Sequence, residues 1–354
     1  MDYVKNAWYV AGWASEFDGE LKRVTILEEN LVMFRNSSGQ VVALEDRCPH
    51  RMLPLSKGKL IGDDIQCGYH GLTFNCEGKC VRIPGQNNLP ASASVKAYTV
   101  HEKHNIVWIW MGEQESANPD EIFTMPEFDD PSWHAHQGEA LHLKSHYLNV
   151  AENLVDPAHV SFVHPTTLGS VSGEDVPVSV STEDEVIVAW RWIKNSPPVG
   201  FFKEYGGFSG DVDRWHYYYL HLPCTAVIDF GSADSSLALK EDERDKGVRI
   251  FALHFITPVT ADYSIDRWMH LRNKAVGDDA VSAKMDAMFK VAFNEDKEIL
   301  EAIQLEEKKL PHRRPLRIAI DKGPMVYRKR IRELVEVEKI RESDRSPDPI
   351  LHNG

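Results

Sequence analysis

The sequence has no run of 18 or more apolar residues, so no membrane span is expected. Its first residues, Met1-Asp2-Tyr3-Val4-Lys5-Asn6, show neither an apolar h-region nor a cleavage site, so no secretory signal is expected. Cysteine is scarce and odd in number: five residues, at 48, 67, 76, 80 and 224. Such usage argues against a disulfide framework and for metal binding in a reducing cytoplasm. Excess positive charge is absent too. With 40 Lys and Arg against 54 Asp and Glu, the net charge is -14, which excludes general nucleic-acid binding. No glycine-rich nucleotide-binding motif, internal repeat or low-complexity segment is found. What remains is an ordinary globular composition, 42% hydrophobic, over 354 residues, long enough for two cores.

Residues 1–115 read as strand-rich, with apolar runs at Trp8–Val10, Val24–Leu27, Leu31–Phe34, Val41–Leu44 and Ile106–Met111 separated by turn residues. The acidic, proline-bearing stretch from Gly112 to Pro131 reads as an inter-domain connection. A domain of residues 116–354 follows. It opens with a strand at Glu139–Ser145 and a helix near Leu148–Val163, then has strands from about 177 to 273. The charged run Lys240–Lys246 reads as a solvated hairpin loop. Helices are expected over Asp279–Lys308, from the spacing of Met285, Met288, Phe289, Ala292 and Phe293, and over Pro324–Arg341, with Ile331, Leu334 and Val335 buried. Ser343 to Gly354 lacks periodicity and is expected to fray.

Two constellations carry chemistry. In the first, Cys48-Pro49-His50 is followed after sixteen residues by Cys67-Gly68-Tyr69-His70. Alternating cysteine and histidine suits a [2Fe–2S] centre with thiolates on one iron and imidazoles on the other, which raises its potential above an all-cysteine cluster. A structural zinc site would instead begin C-x(2–4)-C and group its histidines. Cys76 and Cys80 flank a turn and read as small packing residues.

The second constellation is Asn153-Leu154-Val155-Asp156-Pro157-Ala158-His159, continuing to His164. Five residues of ideal helix leave two side chains roughly 140° apart, so His159 and His164 share a metal only if one lies at a helix end or distorted turn. Pro165 makes a helix end at His164 plausible. Two histidines and a carboxylate form the facial triad of non-haem Fe(II) oxygenases. Asp296 is the chosen carboxylate because it borders the buried face of its helix; Glu295 and Glu298 are rivals that spacing leaves open.

Together with Asn6–Ala11, Pro84-Gly85-Gln86, Trp108–Gly112 and His164–Gly169, these motifs make the chain resemble the oxygenase component of Rieske non-haem iron oxygenases. Within that family it is most similar to the vanillate O-demethylase, dicamba O-demethylase and toluenesulfonate methyl-monooxygenase group. The resemblance implies an α+β protein: an N-terminal β-rich Rieske domain, then a C-terminal antiparallel sheet with flanking helices (helix-grip type) carrying mononuclear iron. It implies that Cys48, His50, Cys67 and His70 hold the cluster and that His159, His164 and Asp296 hold Fe(II). It also implies a head-to-tail homotrimer in which Asp156 bridges a cluster histidine of one subunit and an iron-ligating histidine of the next. Asn153 matches a position near the iron, and His254 one where the dicamba enzyme contacts substrate. Asp229 is expected at a comparable pocket-facing position, and the remaining histidines are read as structural.

The expected reaction takes O2 and electrons from NADH, delivered by a separate flavin and iron–sulfur reductase or a ferredoxin, to hydroxylate an aromatic substrate. O-demethylation of an aryl methyl ether and hydroxylation of an aryl methyl group are the leading forms. Cis-dihydroxylation of an aromatic acid uses the same metal ligands and stays open. The basic stretch from His312 through Arg332 reads as a solvated helix face, with docking of a subunit or electron donor as the functional alternative.

Overall fold

The computed structural model describes residues 3–345. Two compact units emerge: residues 1–122 with 257–260, and residues 123–256 with 261–354. The division between Ile122 and Phe123 falls inside the stretch expected to connect domains. No helix among the described residues is long and apolar enough to cross a membrane.

The first unit is built from short strands: β1 (Trp8–Trp13), β2 (Lys22–Ile26), β3 (Glu29–Arg35), β4 (Val41–Glu45), β5 (Lys59–Ile61), β6 (Asp64–Gln66), β7 (Thr73–Phe74), β8 (Cys80–Arg82), β9 (Ala97–Tyr98), β10 (Val100–Lys103) and β11 (Ile106–Trp110). They form three sheets, ordered β1-β11-β10, β2-β3-β4-β9 and β5-β6-β7-β8. Val32, Phe34, Leu44, Leu55, Ile65 and Phe74 make one core, against which Cys76 and Cys80 pack as small side chains.

The second unit is a seven-stranded sheet with helices. Its strands are β12 (His134–Leu143), β13 (Ser179–Glu183), β14 (Val186–Ser196), β15 (Val212–His221), β16 (Thr225–Asp234), β17 (Val248–Thr260, whose last four residues count with the first unit) and β18 (Tyr263–Arg272), in the order β12-β18-β17-β16-β15-β14-β13. Pairing is antiparallel from β13 through β17 and between β12 and β18. The helices are α1 (Tyr147–Asn153), α2 (Val160–Val163), α3 (Gly200–Tyr205), α4 (Asp279–Lys309) and α5 (Lys322–Arg345). Met285, Phe289, Ala292, Phe293, Asp296 and Leu300 form the buried stripe of α4 at three- and four-residue spacing.

Four expectations are corrected. The helix anticipated over 148–163 is two helices, because Pro157 lacks an amide hydrogen and holds Asp156 out of helical geometry. The first strand of this unit starts at His134 and ends at Leu143, earlier at both ends than expected. The run 240–246 is not wholly solvated: Arg244 lies over the Tyr217 ring, 3.6 Å from its centroid, and its Nη1 is 3.3 Å from Asp229. Helix α5 runs on to Arg345, beyond the expected end at 341; the remainder of the segment expected to fray lies outside the described residues. Within α5, Ile331 and Val335 are buried as expected, together with Tyr327, whereas Leu334 is only half-buried.

Candidate metal centres

In the first unit, Cys48 follows β4 and Cys67 follows β6, each opening a loop closed in the same way. Cys48 N donates to Leu53 O and Met52 N donates to Cys48 O; Cys67 N donates to Leu72 O and Gly71 N donates to Cys67 O. The fourth residue after each cysteine, Met52 or Gly71, has a positive φ, of 60° and 74°. That turn suits glycine and is strained for methionine. The correspondence of these loops was not read from the sequence, where only cysteine, a histidine and the following leucine match. Asp46 fixes the first loop by accepting Ser56 N and Ser56 Oγ, both at 2.7 Å.

Cys48 and Cys67 are buried, while His50 and His70 are exposed with ring centroids 4.6 Å apart. Burial, with the neighbouring Cys67, raises the Cys48 thiol pKa. Two adjacent thiols and two adjacent imidazoles fit a cluster with one cysteine-bound and one histidine-bound iron. The histidine edge borders an open groove of about 1000 Å³ lined in part by Pro49, Leu72, Pro84 and Gln86.

In the second unit, the break at Pro157 resolves the spacing of the two histidines. His159 is the N-cap of α2 and His164 its C-cap, so the pair brackets a single turn. Gly169 packs against that turn: its N donates to His164 O at 2.8 Å, and an added Cβ would lie 2.2 Å from Val160 O. Arg191 on β14 pins α2 from the sheet side by donating to Ser161 Oγ at 3.2 Å.

Asp296 on α4 faces both rings. Its Oδ1 is 3.5 Å from His159 Nε2 and its Oδ2 is 3.1 Å from His164 Nε2. The three residues offer ligand atoms within 4.8 Å of one another. Asn153 Nδ2 donates to Asp296 Oδ1 at 2.9 Å, and Glu295 Oε2 lies 2.8 Å from His164 Nδ1. Glu295 therefore backs a histidine while its neighbour Asp296 faces both, and Glu298 is exposed.

Burial pulls the His159 pKa down, only partly countered by Asp296 and Asp156. For His164 the same penalty is outweighed by Asp296 and Glu295, which hold the pKa up. Burial also works against the Asp296 carboxylate, yet His164, His159 and Asn153 keep its pKa below the usual value. His159 Nδ1 is buried without a hydrogen bond among the described residues, and Asp156 Oδ2 stands 4.0 Å from it. Two imidazole nitrogens and one carboxylate on one side of a buried hollow fit a ferrous ion with open positions. Asp156 itself is held by Ala158 N at 2.8 Å, and burial raises its pKa.

The hollow beside this triad is lined by Leu154, Val160, Ile228, Phe230, Ala252 and Phe293. His254 lines it too, and its Nδ1 lies 2.7 Å from Asp266 Oδ2. Asp229 does not line it. Its neighbours Ile228 and Phe230 do, so alternation along β16 turns Asp229 to the opposite face. There its carboxylate receives Arg249 Nη2 at 2.7 Å and Trp215 Nε1 at 3.2 Å. The pocket-facing reading of Asp229 is thus corrected to an ion pair behind the sheet.

Sequence reading also missed residues on the pocket face. Arg214, His216 and Tyr218 alternate along β15 beneath the hollows. A signal existed: polar and charged residues at every second position of an otherwise aromatic strand.

Comparison with known proteins agrees with this arrangement. Residues 7–99 match the Rieske [2Fe-2S] domain, and residues 143–337 match the vanillate O-demethylase oxygenase C-terminal domain. The chain is 36% identical over 326 residues to the toluene-4-sulfonate monooxygenase system iron-sulfur subunit of Comamonas testosteroni, covering 91% of this chain and 94% of that one. It is 30% identical over 343 residues to a vanillate O-demethylase oxygenase subunit of a Pseudomonas species, covering 95% and 96%. The crystal structure of dicamba monooxygenase bound to dicamba superposes with a TM-score of 0.87 at 27% identity, covering 96% of this chain and all of that one. With both domains matched in order and relatives aligned over nearly the whole length, the chain belongs to the Rieske non-haem iron oxygenases, as an oxygenase component of the group that includes vanillate O-demethylase and toluene-4-sulfonate monooxygenase.

Proposed function

We propose that this oxygenase component hydroxylates the methyl carbon of an aryl methyl or aryl methoxy substrate. The reaction consumes O2, two electrons and two protons, and releases one water. An aryl methyl group would leave as a benzylic alcohol; an aryl methoxy group would leave as a hemiacetal that collapses to phenol and formaldehyde. The observation that carries the reading is the His159, His164 and Asp296 triad opening on an apolar hollow.

In this reading Cys48, Cys67, His50 and His70 hold the [2Fe–2S] cluster, and His159 Nε2, His164 Nε2 and Asp296 hold Fe(II). With both bound, the cluster supplies single electrons and the iron supplies O2 activation. The chain's own groups do the rest. Glu295 accepts the Nδ1 hydrogen of His164 and so turns its Nε2 lone pair to the site. Asn153 orients the Asp296 carboxylate. Leu154, Val160, Phe230 and Phe293 exclude water from the hollow. His254, held at Nδ1 by Asp266, lines the same hollow and would contact the substrate there.

A head-to-tail homotrimer completes the proposal. Asp156 Oδ2 makes no hydrogen bond among the described residues, and the cluster histidines are exposed. Asp156 would accept from His159 Nδ1 on one side and from a cluster histidine of the neighbouring copy on the other, fixing both tautomers. Electrons would come from NADH through a separate flavin and iron–sulfur reductase or a ferredoxin docking near the groove beside His50 and His70. Free thiols suit a cytoplasmic setting.

The test is reconstitution with a reductase and a panel of aryl methyl ethers, aryl methyl sulfonates and methylbenzoates. Substrate-dependent NADH and O2 consumption with stoichiometric formaldehyde or benzylic alcohol supports the proposal. Ring-hydroxylated products from the same panel would contradict it.

A further inference from the structure

A second hollow shares Leu168 and Phe230 with the one beside the triad. Its walls are largely apolar, with Phe201, Phe202, Ile250, Met288 and Phe289, yet Arg214 and His216 both line it. Arg214 is 1% exposed. Its hydrogen bonds go to the hydroxyls of Ser196 at 3.1 Å, Ser170 at 2.5 Å and Ser172 at 3.2 Å. Hydroxyls satisfy N–H groups but leave the positive charge uncompensated, and no carboxylate among the described residues pairs with it. By contrast Arg249 on the other face meets Asp229 at 2.7 Å, and Arg328 meets Glu152 at 2.7 Å.

A second buried guanidinium lies close by. Arg191 donates to Gly173 O at 2.7 Å and to His216 Nδ1 at 3.4 Å; it makes no ion pair among the described residues, and Asp156 acts on it only from a distance. Burial, reinforced by Arg191, pulls Arg214 down to about 10, still charged at neutral pH. Burial and the same two guanidiniums keep His216 neutral. A neutral His216 that accepts at Nδ1 carries its hydrogen on Nε2, and no hydrogen bond among the described residues takes that hydrogen. Arg214 Nη1 is likewise without a hydrogen-bond partner among the described residues. Buried charges are paired or coordinated in stable proteins. A hollow that offers a cation and an N–H donor within apolar walls is built for an anion on an apolar body.

The geometry points to an anion-recognition site at Arg214 and His216, which holds the carboxylate or sulfonate of an aromatic substrate while its ring crosses Leu168 and Phe230 toward Asp296. This assignment deepens the hydroxylase reading and rests on it for the substrate's oxidisable end.

The experiment is calorimetric binding of 4-methylbenzenesulfonate, 4-methylbenzoate and neutral 4-methylbenzamide to the holoenzyme, followed by steady-state kinetics with a reductase. At least one anion should bind tenfold or more tighter than the amide; which one leads identifies the head group. Arg214→Gln should lose about tenfold or more in anion affinity with little change for the amide, and raise KM more than it lowers kcat. Arg214→Lys should restore part of the anion preference. Equal binding of anions and amide by the wild-type protein would overturn the assignment, whatever the folding of the variants. So would a folded Arg214→Gln protein with unchanged anion affinity. Anion-selective binding without oxidation of any probe would leave the site standing and count against the hydroxylase reading instead.

Discussion

Glu295 and Asp296 are adjacent carboxylates on one helix with different tasks, and a rotation of one residue separates them. Asp296 is buried and faces both histidine Nε2 atoms; Glu295 reaches only the Nδ1 of His164. Glu295→Gln should therefore lower iron affinity about 10- to 100-fold, the usual cost of losing a partner behind a metal-binding histidine. Glu298→Gln, at an exposed position, should leave it unchanged; competition with a chelator measures both. His159→Ala should keep the visible spectrum of the cluster and lose the mononuclear iron, which metal analysis resolves. Loss of the visible spectrum in that variant would contradict two independent sites. At this scale the sequence was legible where residue types are rare and spaced for a ligand set, as at Cys48, His50, Cys67, His70, His159 and His164. It was not legible at Asp229. Ile228, Asp229 and Phe230 alternate apolar, polar and apolar, but in a strand buried on both faces that alternation does not say which face borders the pocket.

The single turn of α2 is the element on which the iron site depends, and a four-residue helix does not hold itself. It is held by Pro157 before it, Gly169 against its carbonyls and Arg191 from the sheet. Gly169→Ala would push a methyl group into Val160 O and His164 O, at 2.2 and 2.9 Å. Backbone on both sides has little room to yield, so the variant should lose about 1–3 kcal/mol of stability. It should also bind iron less well, with the cluster spectrum intact. Thermal melting and metal content check this, and wild-type values for both would remove Gly169 from the account. The strands and the two long helices were legible because their apolar periodicity extends over many residues. The break at Pro157 was missed because helical spacing continues on both sides of it. The paired cysteine loops were missed because their likeness lies in hydrogen bonds and a positive φ rather than in residue identity.

For the whole molecule, one unit carries exposed imidazoles and the other a buried triad. The proposed trimer gives Asp156 the task of joining neighbouring copies. Asp156→Asn should retain both metals and the fold yet reduce product formation by two orders of magnitude or more, as followed by iron content, visible spectrum and product yield. Wild-type turnover at normal iron content would contradict the bridging role. The family and the two-unit plan were legible because the motifs occur in a fixed order along nearly the whole chain. The substrate's chemistry was not, because the pocket face of β15 and β16 becomes defined only when the strands are set in register.

The central claim is that one oxygen atom from O2 enters a methyl carbon. Turnover of an aryl methyl substrate under 18O2, with product analysed by mass spectrometry, tests it most directly. The account predicts a benzylic alcohol carrying one labelled oxygen atom; a cis-diol carrying two would contradict it.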